Sequence, residues 1–122
     1  MQIPLLQPQE IEVYYILPAL RSELAKALKQ TGKSQKAIAE LFGVSEPPVS
    51  QFMHEKRGAE VEFTPPMQAV IKDAAKRITD KTTFIRETQQ LLHKAWHEKF
   101  VCGVCHDQNG SAIPKGCAVC FE

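Results

Sequence analysis

Leu17, Leu20, Leu24 and Leu28 recur at three- and four-residue spacing, which sets them on one face of a helix. Pro18 falls near the start of that helix, where a missing N–H is tolerated, and Gly32 falls just past its end. The preceding stretch EIEVYYIL alternates apolar and acidic residues before turning continuously apolar. It fits a short strand or an N-terminal extension of the helix, and the extension is expected.

The next apolar stripe, Ile38, Leu41 and Phe42, follows Ser34 and stops at Gly43. Ser34 suits a helix cap, because its hydroxyl can accept from the first free N–H groups. Ser45 is placed to cap a third helix, with Pro47 and Pro48 in its first turn and Val49, Phe52 and Met53 facing inward. A fourth helix is expected after Thr64 and Pro65-Pro66, on the stripe Met67, Val70, Ile71, Ala74 and Ile78. A fifth begins at Asp80 or Thr82 and carries Phe84, Leu91, Leu92, Ala95, Trp96 and Phe100 on one face.

The pattern predicts an all-α chain: a five-helix, helix-turn-helix domain with a small irregular cysteine-rich, metal-binding C-terminal tail. Residues 1–80 are expected to form the DNA-binding domain, 81–100 a long helix and candidate dimerisation element, and 101–122 the tail. At 122 residues with 43% hydrophobic and 24% charged content, one compact domain with a real core can form, and two full domains cannot easily be accommodated. The net charge of +1 excludes a polycation that coats nucleic acid indiscriminately. Between Leu20 and Arg57, however, Arg21, Lys26, Lys29, Lys33, Lys36, Lys56 and Arg57 outnumber Glu23, Glu40, Glu46 and Glu55.

No apolar run reaches membrane-spanning length, and the first residues combine no basic start with Glu10 and Glu12 inside the apolar part. A cytoplasmic protein without a membrane partner is expected. There, clustered thiols bind metal more often than they pair as disulfides.

Two helices on a tight turn can project the second into the DNA major groove. Ala39 is small where the helices would cross, Gly43 suits a turn with positive φ, and Val44 can plug the corner. Gln35, Ala39, Gly43, Val44, Val49 and Phe52 together resemble the helix-turn-helix of Cro and phage-repressor-type regulators. The longer stretch LPALRSELAKAL…SQKAIAELFGVSEPPVSQFMHEKRG is similar to small prokaryotic, often archaeal, predicted transcriptional regulators ending in cysteine pairs. The similarity covers about two thirds of the chain.

That resemblance implies that Ser45, Glu46, Ser50, Gln51 and His54 face the groove while Gln35, Lys36, Lys56 and Arg57 approach phosphates. Chemistry agrees in part: Gln51 can pair bidentately with adenine, Ser50 can bond several bases, and Glu46 can accept from cytosine. Pro47 and Pro48 depart from the pattern by removing side chains that would reach bases, which shifts the expected readout toward DNA shape. Relatives often carry cysteine where this chain has Gln9.

Cys102-x-x-Cys105 and Cys117-x-x-Cys120 offer four thiolates, the donor set of a structural zinc site or of an iron–sulfur cluster. Zinc would clip a tail too short to hold itself; a cluster would make the tail a sensor of oxygen, iron or redox state. CGVCH also matches a c-type haem signature with His106, but haem attachment normally requires export and no export signal is visible. His93 and His97 lie one helical turn apart and read as surface residues.

No nucleophile–base pair, phosphate loop or paired catalytic carboxylates mark an enzyme or a small-molecule substrate site. The expected function is a sequence-specific transcriptional regulator binding a double-stranded operator as a homodimer, since one recognition helix buries little interface. The alternative is a protein-interaction adaptor with a structural zinc tail.

Overall fold

A computed structural model describes residues 5–45, 61–112, 116–117 and 119–121, and these are helical throughout, with no strand among them. The first run joins α1 (Pro8–Ile11), a π turn (Glu12–Ile16) and α2 (Leu17–Gln30). EIEVYYIL is thus helical, and Pro18 lies inside the run rather than near its start. A proline there brings no N–H and crowds the carbonyl four residues back. The helix meets it after a widened turn, in which the Leu17 N–H reaches back five residues to the Glu12 carbonyl.

Leu20, Leu24 and Leu28 are fully buried on α2. The helix ends where Thr31 donates its hydroxyl to the Leu28 carbonyl at 2.6 Å and Gly32 turns at φ 100°.

Helix α3 (Gln35–Phe42) starts at Ser34, whose Oγ accepts from the Ala37 N–H at 3.1 Å. It closes on Gly43 at φ 72°, where the Gly43 N–H donates to Glu40 O and the Val44 N–H to Ala39 O. These paired bonds satisfy the last carbonyls of the helix and require a left-handed residue between them. Gly43→Ala is expected to cost about 1–2 kcal/mol, because a Cβ in this conformation crowds its own backbone. Urea denaturation would measure it. An unchanged midpoint would mean that the turn relaxes without penalty.

Thr64 caps α4 (Pro65–Arg77), accepting from Met67 N–H at 3.3 Å, and Asp80 caps α5 (Lys81–His97), accepting from Thr83 N–H at 2.7 Å. The apolar face expected to run unbroken through Phe100 is interrupted. Lys99 takes a left-handed turn at φ 59°, and α6 (Phe100–Asn109) sets off from it.

Helix α2 packs on α4, α4 on α5, and α5 on both α3 and α6, while α1 lies against α6. Stacked rings tie the layers: Phe42 on Phe84 with centroids 4.4 Å apart, and Phe63 on Phe100 at 5.1 Å. Glu87 is buried on α5, at 2% exposure, between Arg77 and Arg86. No helix among the described residues is long and apolar enough to cross a membrane.

The third helix expected after Ser45, with Pro47, Pro48, Val49, Phe52 and Met53, lies outside the described residues.

Candidate DNA-contacting residues and cysteine site

Ser34 holds the start of α3 so that Gln35, half-buried, and Lys36, exposed, occupy its first turn. The free N–H groups and positive dipole end of a helix favour an anion there. The opposite face is fixed by buried Ile38 and Ala39, with Val44 packed against the same core just past the turn. Ser45 is exposed. Glu46, Ser50, Gln51, His54, Lys56 and Arg57 lie outside the described residues, so three of the nine predicted DNA contacts, Gln35, Lys36 and Ser45, have a described place.

All four cysteines border one cavity of about 140 Å³, together with Leu5, Leu6, Gln7, Pro8, Trp96, Val101 and Val119. None of the four is disulfide-bonded. The first pair was expected on a tight loop, yet Cys102 and Cys105 sit three residues apart on helix α6. The segment is apolar enough to pack: Val101 and Val104 on the same helix are buried.

Cys120 belongs to a short 3₁₀ turn, Val119–Phe121. Its neighbour Phe121 packs on Trp96, with ring centroids 5.2 Å apart, and takes the Lys99 ammonium over its face at 5.5 Å. Thus the left-handed Lys99, read in the sequence only as a surface charge, helps to anchor the chain end beside the cavity. Trp96, expected as a candidate subunit contact, packs within the chain.

Asn109 closes the other side. Its carboxamide accepts from Leu6 N–H at 2.9 Å, donates to Leu6 O at 3.1 Å, and donates to Cys105 Sγ at 3.3 Å. It therefore joins the N-terminal segment to a cysteine sulfur. In the sequence it was one turn former among several in DQNG.

Burial pushes the Cys102 thiol above its ordinary value of 9.0, and the nearby Cys120, Cys117 and Cys105 add to the rise, with Lys99 opposing. Thiolates so close repel one another unless a cation sits among them. Soft sulfur donors on apolar ground suit zinc or iron rather than magnesium or calcium. Even so, no three His, Cys, Asp or Glu side chains among the described residues are arranged to hold a single metal ion. His93 and His97 are both exposed.

Comparison with family models, with curated proteins and with solved structures finds no match to this chain.

Proposed function

We propose that the chain is a sequence-specific DNA-binding transcriptional regulator, acting as a homodimer, whose four cysteines hold a metal centre of zinc or iron and sulfide. The observation that carries the DNA-binding half is the closure of α3: a capped helix, a left-handed Gly43, and Val44 bonded back to Ala39 and packed on the core. This is the rigid corner from which a second helix can be presented to a groove. The metal-binding half is supported by the gathering of all four thiols around one cavity. A bound metal would neutralise the thiolates and pin the chain end to the helical body.

Selection of duplexes from a random pool tests the first half. Specific retention whose affinity falls steeply with salt is expected; its absence would favour an interaction adaptor. Gln51→Ala is then expected to cost about 1–3 kcal/mol of discrimination at one base pair, read by fluorescence anisotropy against the selected duplex and a scrambled one. Equal loss on both duplexes would remove Gln51 from base readout.

A further inference from the structure

We infer that the cysteine cavity is built for a cubane iron–sulfur cluster and not for a single zinc ion. The inference rests on the reading of the four cysteines as a metal site.

Size is the first ground. Four thiolates around one zinc stand about 2.3 Å from it, which brings neighbouring sulfurs to about 3.8 Å from each other. Sulfurs at that spacing touch and leave no void between them. Here the four cysteines border a cavity of about 140 Å³, and no three of them converge as ligands of one ion. A void of about 150 Å³ accepts a benzene molecule. The space between the sulfurs is therefore that of a compact polyatomic group.

The helix supplies the second ground. Cys102 and Cys105 share one face of α6, and residues three apart on a helix hold their Cβ atoms about 5–6 Å apart. That span is wide for two ligands of one zinc and suits two corners of a cubane. Leu6, Trp96 and Val101 supply the dry wall that such clusters require.

Hydrogen bonding is the third. Asn109 aims an amide N–H at Cys105 Sγ at 3.3 Å. A thiol is a weak acceptor, whereas a thiolate bound to iron carries the charge that such a donor stabilises, and bonds of this kind tune a cluster. On assembly the four thiols release their protons as four iron–sulfur bonds form. Ferrous iron and sulfide enter from solution, with a mild external oxidant taking up the electrons needed to reach the mixed-valence core.

The test is made on the full chain, purified without oxygen and stripped of metal. One portion is reconstituted with ferrous iron and sulfide, another receives zinc alone, and a third receives both. Iron and sulfide retained in equal amounts through gel filtration, with broad visible absorption that survives zinc, are expected. Cys105→Ser should lose most of that absorption while circular dichroism keeps the helical signal.

Zinc bound at one per chain, with no cluster formed, would overturn the inference and leave the metal site standing. If neither zinc nor cluster were retained, both would fall.

Discussion

Leu24→Ala is expected to destabilise the chain by about 2–5 kcal/mol, the range for a large aliphatic side chain removed from a packed interior. Leu24 is 0% exposed, midway between Leu20 and Leu28 on the helix against which α4 packs. Its loss removes apolar contact and leaves a void that rigid helices cannot refill. Urea denaturation followed by circular dichroism would measure it. A cost under about 1 kcal/mol would mean that α2 and α4 can slide together, so that the seam is not the fixed base on which α3 stands.

Replacing both Arg77 and Arg86 by methionine is expected to cost a similar amount, about 3–5 kcal/mol, because it strands a buried carboxylate. Arg77 Nε meets Glu87 Oε1 at 2.7 Å and Arg86 Nε meets Oε2 at 3.0 Å. Both arginines are about half exposed, so each can return to water, but Glu87 cannot. Either single substitution leaves one cation in place and should cost less.

The pH dependence separates this from a packing defect. Burial raises the Glu87 carboxyl, and the two guanidinium groups more than offset it, so it lies below its ordinary value of 4.5. A carboxyl depressed on folding stabilises the native state above the unfolded value, and that contribution fades as pH falls from about 4.5 through the folded value. Without the arginines burial alone remains, and the carboxyl rises above 4.5. The double variant should then lose stability as pH increases above 4.5, opposite in sign to the parent. Parallel stability–pH curves would show that Glu87 is not governed by this pair.

Most of the helices were legible because each carried a stripe and a cap. Ser34, Thr64 and Asp80 open helices as read, and Gly43 ends α3 as its conformational freedom suggested. Pro18 was misplaced because a proline normally marks a helix start, and a widened turn upstream has no residue signature of its own. The break at Lys99 was illegible for a similar reason, since lysine seldom adopts positive φ and tertiary packing imposes it.

Glu87 in ETQQLL looked like a solvated charge, since nothing in one helix reveals that Arg77 on another will cover it. The cysteine spacing announced four ligands. What it hid was that the first pair lies on a helix, and that Leu6 and Asn109, at opposite ends of the described chain, complete the wall.

The π turn at Glu12–Ile16 carries a consequence for rotation. Successive residues of an α-helix are about 100° apart around its axis, so one extra residue in a turn turns everything before it by roughly that angle. Ile11 ahead of the turn and Leu20 beyond it are both 0% exposed, yet α1 faces α6 and α2 faces α4. One rod thus has two phases: it reads the helical body with one side and the cysteine end with another. Deleting a single residue from the turn would leave the sequence almost intact and force the rod to choose between its two partners.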